Sequence, residues 1–395
     1  MNNKTKFFKH SLVTIAIVGA LSTTVNAQEE TEGAKNDGVE RIMITASKRL
    51  KGLQESPIAV QVVNGVTLDQ TKVLDIQDLQ TLVPTLRVTP LQRSTNTNFS
   101  IRGFGNGTNN TGIEPSVGVF IDGVYRSRAA AQIGDLPRVS QIEVLSGPQS
   151  TLFGKNASAG VISVRTLAPS HDLEGKIEAG IGNYNQRQVK GYITNGITDD
   201  LAFSLSGGFN KRDGYTDSTV GLGALNDRDR WNIRGQALYE PTEDVTVRLI
   251  ADYSEIEEKC CTVDDPINGP TTGAILALGG AVNSQDETFS YRSALNSDPD
   301  DKIEDGGVSL QVDVDFDSFT FTSITALRKN ESSFDNDVDY TSLDIISESA
   351  DTDIDTFTQE FRLTSTGERT LDWMIGAYIF KEEVTYNDSL DYGVD

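Results

Sequence analysis

The chain has 395 residues, with 34 Lys or Arg against 58 Asp or Glu, and a formal net charge of −24. This acidic excess argues against nucleic acid as a partner, because binding to phosphates requires clustered basic side chains. Beyond residue 27 the sequence contains one histidine, His171, so a Ser-His-Asp site or a His-rich metal site is not expected. We therefore expect neither an enzyme nor a cofactor-binding or metal-binding protein.

Residues 1–27 have the pattern of a secretory signal. Lys4, Lys6 and Lys9 precede a short apolar run at residues 12–21, and Ala27 supplies a small residue at the expected cleavage site. The alternative of a membrane anchor is weaker, because the run is too short to span a bilayer core of about 30 Å. The following residues 28–38 are charged and contain glycine, which predicts a flexible tether.

A β-prone segment at residues 39–46 follows this tether. Such a segment ahead of a folded body can be offered to a partner protein as one extra strand. The main chain then supplies affinity, and alternate side chains supply specificity.

The next region, up to about residue 167, mixes short strands and short helices. Helical spacing predicts a helix over residues 75–83, which ends before Pro84. Pro148 suits the first turn of a second, short helix over residues 149–153, which ends at Gly154. Apolar runs predict strands, and these lie at residues 117–121, 142–145 and 161–164. About 130 residues with this content can bury one core.

From about residue 175 the apolar pattern changes to a period of two. Residues 231–240, 245–254 and 308–316 are clear examples, and we count roughly nine such segments. Segments of about ten alternating residues are typical of a transmembrane β-barrel. A secreted β-sandwich with one wet face is the alternative.

The connections between these segments alternate in length. Short turns contrast with three long connections at residues 214–229, 257–305 and 331–352. Short periplasmic turns and long external loops are the barrel arrangement. Plugged barrels have about 22 strands, so nine strands predict the N-terminal part of a longer protein, which should not insert stably alone.

Two local features receive no functional assignment. Cys260 and Cys261 are adjacent, and a vicinal disulfide and two free thiols remain equally open. The acidic run at residues 335–339 is not an EF-hand, because its sixth position is Tyr340 rather than Gly and its twelfth is Ile346 rather than Glu. We expect a solvated acidic loop there.

Three stretches together resemble the TonB-dependent outer-membrane receptors. Residues 137–164 are similar to the family's plug signature of a strand, a Gly-Pro turn, a short helix and a Gly-rich return. Residues 100–105 contain its Ile-Arg-Gly element, and residues 119–125 contain its apolar strand and Asp-Gly turn. The resemblance implies an α+β plug domain followed by antiparallel transmembrane β-barrel strands, about nine of an expected 22.

The resemblance also implies a domain order. Residues 1–27 are the signal peptide, 28–47 a linker with the TonB box, 48–170 the plug, and 171–395 the N-terminal part of the barrel. The residues implied to contact TonB lie in the β-prone segment: Glu40, Arg41, Ile42, Met43, Ile44, Thr45 and Ala46.

Within the plug, the expected structural residues follow the family motifs: Arg102, Gly103, Glu143, Gly147, Pro148 and Gly154. Arg102 and Glu143 are expected to pair with each other or with barrel charges, since a buried charge needs a partner, and a solvated surface position is the alternative. Polar segments at 92–98, 106–113 and 125–133 are expected to face outward. The candidate ligand contacts in them are Arg93, Asn96, Asn98, Asn106, Asn109, Asn110, Tyr125, Arg126 and Arg128.

The functional expectation is energy-coupled import of a scarce nutrient across the outer membrane of a Gram-negative bacterium. The resemblance implies an iron–siderophore complex or a similar chelate as the ligand, with cobalamin, haem or an oligosaccharide as the alternatives. TonB and outer-membrane lipid are the further partners that it implies. The alternative is a passive barrel or a surface-binding protein without energy input, which would not need the segment at 39–46.

Overall fold

The computed structural model describes residues 42–45, 47–106, 112–262, 267–283, 289–367 and 370–393. The predicted signal peptide and tether lie outside the described residues. So do five of the candidate site residues, namely Glu40, Arg41, Ala46, Asn109 and Asn110. Residues from Met43 onward form one compact unit, in which a small α+β region packs against a large antiparallel sheet.

The small region is built around a five-stranded sheet in the order β3-β8-β9-β6-β7. β6 and β9 are parallel, and the other pairs are antiparallel. The elements, in chain order, are β1 (Met43–Ile44), β2 (Lys51–Gly52), β3 (Val60–Asn64), α1 (Gly65–Thr71), α2 (Ile76–Leu79), β4 (Leu86–Thr89), β5 (Asn98–Ile101), β6 (Val117–Ile121), β7 (Val124–Arg126), β8 (Val139–Ser146), α3 (Ser150–Phe153) and β9 (Gly160–Thr166).

Side-chain caps define the helix starts. Asn64 Oδ1 accepts a hydrogen bond from the Thr67 amide at 2.8 Å, and Asp75 Oδ1 accepts one from the Asp78 amide at 2.8 Å. The helix predicted over residues 75–83 is observed as α2, which is shorter and spans Ile76–Leu79. One further helical hydrogen bond follows it, from the amide of Val83 to the carbonyl of Leu79. The chain leaves the helix there because the residue before a proline disfavours α geometry.

The core of the small region is apolar and is completed by the large sheet. Its own fully buried residues include Leu79, Leu86 and Ile142, and Ile256 and Ile303 of the large sheet join the same cluster. Burial of this apolar surface is the main favourable term in folding. The small region therefore depends on the sheet for part of its stability.

The large sheet contains nine strands among the described residues, each paired antiparallel with the next. They are β10 (Glu174–Ile181), β11 (Arg187–Thr198), β12 (Leu201–Arg212), β15 (Arg228–Thr242), β16 (Val245–Lys259), β18 (Asp300–Phe316), β19 (Phe319–Asp337), β20 (Ile346–Ser365) and β21 (Met374–Tyr392). The connections carry β13 (Thr216–Ser218), β14 (Ala224–Leu225), α4 (Thr272–Ala277) and β17 (Arg292–Ser293). None of the helices in the described part of the chain has the length and apolar character needed to cross a membrane.

The two faces of the large sheet follow the predicted period of two. Ile233 and Leu249 are nearly half exposed on the outer face, whereas Arg234, Gln236 and Ile250 are at most 8 % exposed on the inner face. The inner face packs against the small region, which explains why charged residues are buried there.

The predicted long connections are shorter than expected. β16 continues to Lys259 and β18 begins at Asp300, while β19 continues to Asp337 and β20 begins at Ile346. Hence the two ends of 257–305 and most of 331–352 are strand, whereas residues 260–299 still connect two strands of the large sheet. Pairing of main-chain groups forms these strand ends whatever the polarity of their side chains, so the apolar period does not mark them.

Candidate functional site

Residues 42–45 of the predicted TonB-contacting segment lie folded against the plug region. Met43 and Ile44 form β1, which pairs antiparallel with β2. Ile44 is fully buried in a cluster with Leu145 and Phe120, while Ile42 and Met43 are about 40 % exposed, at 44 % and 39 %. The segment is therefore a docked strand here.

Glu143, on plug strand β8, binds this segment through hydrogen bonds. Its Oε1 accepts hydrogen bonds from the amide and hydroxyl of Thr45, at 2.8 and 3.0 Å, and from Gln141 Nε2 at 2.8 Å. The same Gln141 nitrogen lies 3.1 Å from the carbonyl oxygen of Met43. Glu143 is fully buried, so these bonds compensate for its loss of solvation.

The expected pairing of Arg102 with Glu143 is wrong. Arg102 is exposed, with φ of 55°, in the turn between Ile101 and Phe104, so the solvated alternative describes it. Gly103 follows it with φ of 80°. The tight turn directs the arginine away from the sheet, and Glu143 instead has the neutral partners Thr45 and Gln141.

The Gly-Pro motif occupies the predicted turn. The Gly147 amide donates to the carbonyl of Ala159 at 3.0 Å, and Pro148 leads the chain from β8 into α3. Gly154 ends α3 with φ of 79°, a conformation that glycine adopts without steric cost.

The residues after the segment tie it to the wall of the large sheet. Lys48 Nζ lies 2.6 Å from Glu360 Oε2 on β20, and Arg49 pairs with Asp372 at 3.5 Å. Burial lowers the pKa of Lys48 from its usual range, although the nearby Glu360 carboxylate opposes this shift. Sequence reasoning missed these residues, because their partners lie more than 300 positions later.

The polar segment at 92–98 contacts three strands of the large sheet, β18, β19 and β20, and the loop after β16. Arg93 Nη1 lies 2.9 Å from Glu348, and its guanidinium lies 3.5 Å from the Phe334 ring centre. The Ser94 amide donates to Asp301, and the Cys261 amide donates to the Gln92 carbonyl. Asn96 is buried and Asn98 half-buried.

The other two polar segments are also engaged. Arg126 pairs with Asp305 on β18 at 3.2 Å, and Arg128 pairs with Glu382 on β21 at 3.0 Å. The Tyr125 hydroxyl donates to the Ser127 carbonyl. Asn106 Nδ2 donates to the Glu114 carbonyl. In this conformation Tyr125 and Arg126 are at most 4 % exposed, so outward exposure of these two is not observed.

Acidic residues of the small region meet arginines on β15 and β16. Asp75 accepts from Arg230 at 3.1 Å, and Asp122 pairs with Arg248 at 3.4 Å and with Arg234. Burial alone would raise the pKa of Asp122, but the two arginines hold it below its usual range.

The interface is therefore complementary in two directions. The acids of the small region face β15 and β16, and its Arg126 and Arg128 face carboxylates of β16, β18 and β21. In the sequence, arginines and carboxylates at alternate, inward-facing positions of the strands are the signal that could have predicted this charged interface.

The two unassigned local features are structural. Cys260 and Cys261 are joined by a disulfide, which decides between the two alternatives. Asp337 is buried and accepts hydrogen bonds from the amides of Asn296 and Tyr340, at 3.0 and 2.9 Å, so the expected solvated acidic loop is wrong for this residue. Among the described residues no cluster of three His, Cys, Asp or Glu is arranged for a metal ion.

Residues 52–161 match the family model described as TonB-dependent Receptor Plug Domain. The chain therefore contains the plug domain of a TonB-dependent receptor. This match confirms the resemblance, and a plug domain packed against a separate nine-stranded antiparallel sheet confirms the predicted fold class. The domain boundaries and the individual contact residues stay predictions.

Curated proteins that are similar to this chain include two whose names refer to different ligands. The pesticin receptor of Yersinia pestis is 27% identical over 163 residues, which is 41% of this chain and 24% of the relative. The vitamin B12 transporter BtuB of Vibrio vulnificus (strain CMCP6) is 26% identical over 210 residues, which is 52% of this chain and 33% of the relative. The matches thus span about a quarter to a third of the length of these relatives.

Solved structures share the fold of this receptor. The ferric yersiniabactin uptake receptor FyuA of Yersinia pestis superimposes with a TM-score of 0.73 at 20% identity, covering 85% of this chain and 50% of that chain. The ferripyoverdine receptor of the outer membrane of Pseudomonas aeruginosa, bound to ferripyoverdine, gives a TM-score of 0.68 at 14% identity, covering 89% of this chain and 45% of that chain.

Proposed function

We propose that this receptor imports a scarce nutrient across the outer membrane by coupling to TonB, and that its ligand is an iron–siderophore complex. The observation that carries the proposal is the docked β1 strand, whose Thr45 is bonded to Glu143 in plug strand β8. A strand held by few hydrogen bonds can be exchanged for pairing with another chain.

The proposed partner contact is residues 40–46, with Ile42–Thr45 at its centre. Pairing with TonB would replace the two-residue ladder between β1 and β2 and break the bonds from Thr45 to Glu143. Because β8 lies between β3 and β9 in the plug sheet, tension on the segment acts close to the centre of that sheet. The plug would then be displaced from the wall.

The proposed ligand route follows the charged plug–wall interface. Arg93, Arg126 and Arg128 are paired with wall carboxylates in the resting arrangement. Movement of the plug would separate these pairs and leave cationic groups along the opened path, where they can meet anionic ligand oxygens. The ligand contacts expected in segments 92–98, 106–113 and 125–133 are part of this proposal.

The iron–siderophore ligand is supported by the relatives, although their ligands differ. They include a hemin receptor of Yersinia pestis at 24% identity and an iron-regulated outer membrane virulence protein of Vibrio cholerae at 25% identity. The name of the first relative refers to haem and that of the second to regulation by iron, whereas BtuB is named for vitamin B12.

Radiolabelled iron uptake by cells that produce the full-length receptor tests the proposal, with a panel of ferric siderophores. Deletion of residues 39–46 should abolish uptake and leave surface binding intact, because the segment is remote from the external loops. Deletion of residues 28–35, which shortens the tether by the same length, serves as the control and should transport normally. Uptake at the normal rate without residues 39–46 would favour the passive barrel instead.

A further inference from the structure

One continuous network of ion pairs in the plug–wall interface has more arginines than carboxylates. Its side chains are at most 17 % exposed, and its members are Arg126, Arg234, Arg248, Arg328, Asp122, Asp252 and Asp305. Asp252 lies at its centre, because it pairs with three of the arginines. Four arginines therefore share three carboxylates, which leaves one positive charge without a counterpart.

The neighbouring ion pairs do not supply the missing negative charge. Arg128 pairs with Glu382 at 3.0 Å, so these two residues balance each other. Glu114 lies 3.7 Å from Arg128 Nη1, but it is also paired with Lys155. An uncompensated charge in a buried site is costly. The interface is therefore one anion short of neutrality.

A small cavity adjoins this network. Its volume of about 10 Å³ has room for the centre of one water-sized particle. The charged and amide groups in its lining, with one threonine, are Arg126, Arg128, Arg328, Asp305, Asn330 and Thr356. The first two arginines belong to the plug and the third to β19, so the cavity lies between the plug and the wall.

The arginines at this cavity have hydrogen-bond donors to spare. In the part of the chain that the structure describes, four of their buried nitrogens have no hydrogen-bond acceptor: Nε of Arg126, Nε of Arg328, and both Nε and Nη1 of Arg128. Asn330 Oδ1 is the one acceptor of the lining in the same condition. A water molecule accepts about two hydrogen bonds and must also donate its own hydrogens, whereas a monatomic anion only accepts. This excess of donors favours an anion over water.

We propose that the cavity binds one chloride ion, which joins the plug to the wall. The ion accepts hydrogen bonds from Arg126 and Arg128 on the plug side and from Arg328 on the wall side, and it balances the extra positive charge of the network. A cavity with room for one atom does not admit a carboxylate or a phosphate, so this site is distinct from any contact with the imported ligand. It belongs to the resting arrangement of the plug.

Crystallography of the full-length receptor, with sodium bromide in place of chloride, tests the site directly. Bromide substitutes for chloride, and its anomalous scattering distinguishes it from water. We expect one anomalous peak among the Nε atoms of Arg126, Arg128 and Arg328. A water molecule at that position, or no density there, would overturn the proposal.

Thermal unfolding of the same receptor in detergent measures whether the ion stabilises the interface. Sodium chloride is compared with sodium gluconate at equal ionic strength, because gluconate is too large for the cavity and the general screening of charges is then the same. An ion that binds only the folded state raises the unfolding midpoint in a concentration-dependent way. We expect this rise with chloride alone. Identical midpoints in the two salts throughout the titration would mean that any bromide in the crystal is an adventitious ion only.

Thr356→Asp supplies the missing negative charge from the protein itself. Thr356 lines the cavity and lies on β20 directly opposite Arg328. The variant should show no bromide peak, and its unfolding midpoint should not depend on chloride. Thr242→Asp makes the same substitution at an exposed position of β15 and should keep both the peak and the dependence. A bromide peak that persists in Thr356→Asp contradicts the site.

Arg328→Gln reaches neutrality by the opposite route. It leaves three arginines with three carboxylates in the network and removes one of the donors at the cavity. This variant should also lose the chloride dependence, so it tests the site even if Thr356→Asp does not assemble. A chloride dependence in Arg328→Gln equal to that of the wild type would show that the excess charge does not bind the ion.

Discussion

The amide nitrogen of Thr45 lies 2.8 Å from Oε1 of Glu143, a fully buried carboxylate. This bond joins the segment proposed to contact TonB directly to a central strand of the plug. An ionised acceptor makes the bond roughly twice as strong as a neutral one. The charge of Glu143 therefore sets how readily the segment is released.

Glu143→Gln should loosen the segment without opening a cavity. The glutamine keeps an acceptor but loses the charge, so we expect amide protection at Thr45 to fall about tenfold, which corresponds to about 1.4 kcal/mol. Hydrogen exchange followed by mass spectrometry measures this for the peptide that contains β1. Ser140→Ala, on the same strand, should leave the exchange unchanged, and equal protection in both variants would contradict the assigned role.

Removal of Arg230 should strongly destabilise the plug–wall interface. Its guanidinium bonds Asp75 and Glu258, and Arg230→Ala leaves both carboxylates buried without it. Breaking a buried pair costs about 3–5 kcal/mol. Urea unfolding of the variant measures the loss. Lys211→Ala, which removes an exposed pair with Asp229, should cost about 1 kcal/mol or less, and a similar cost for both would disprove the importance of burial.

A charge on the outer face of β15 should impair membrane assembly. Ala237→Arg places a cation toward lipid, which costs about 2–4 kcal/mol near the bilayer midplane. The period of two places Gln236 on the polar inner face, so the sequence alone predicts that an arginine there would be tolerated and that Gln236→Arg could serve as the comparison. Gln236, however, is packed against the plug, where it donates to the Leu167 carbonyl and accepts from Arg248.

Thr246→Arg is the better comparison for this experiment. Thr246 faces inward and lies opposite Asp313, with which an arginine can pair. Heat-modifiable gel mobility and protease protection should show normal assembly for Thr246→Arg and poor assembly for Ala237→Arg. Better assembly of Ala237→Arg would mean that the inside and outside faces have been exchanged.

Asp135 should make the plug less stable as the pH rises from about 4 to about 6. Burial raises the pKa of Asp135 to about 6, although Arg230 and Arg228 oppose the shift and Asp75 and Glu258 reinforce it. The unfolded chain releases this proton near pH 3.9, so between these values the folded state binds more protons and loses stability with increasing pH.

Asp135→Asn should remove this dependence. The variant should equal the wild type below about pH 4 and exceed it by about 2–3 kcal/mol above pH 6, as expected for a shift of about two pKa units. Urea unfolding at half-unit pH intervals measures the difference. A difference that does not change with pH would show that Asp135 does not titrate in this range.

The family motifs and the strand faces were predictable from the sequence because they depend on local order. The period of two over residues 231–254 assigns outward and inward positions, and Ile233 and Arg234 lie on the faces that it predicts. The Gly147–Pro148 turn and the helix end at Gly154 follow from the conformations that these residues prefer. Such features need only neighbours in the chain.

Tertiary structure decided which charges meet. Arg126 and Asp305 are 179 residues apart in the sequence, and Lys48 and Glu360 are 312 apart. No local sequence pattern relates the members of either pair. Arg102 and Glu143 share a motif context but not a contact, because the turn after Ile101 directs the arginine to solvent. Strand register is likewise a tertiary property, since Gly235 meets Ala251, and Tyr253 meets Gly306, only when the strands pair. Sequence determines the faces of each strand, and long-range pairing determines which side chains those faces bring together.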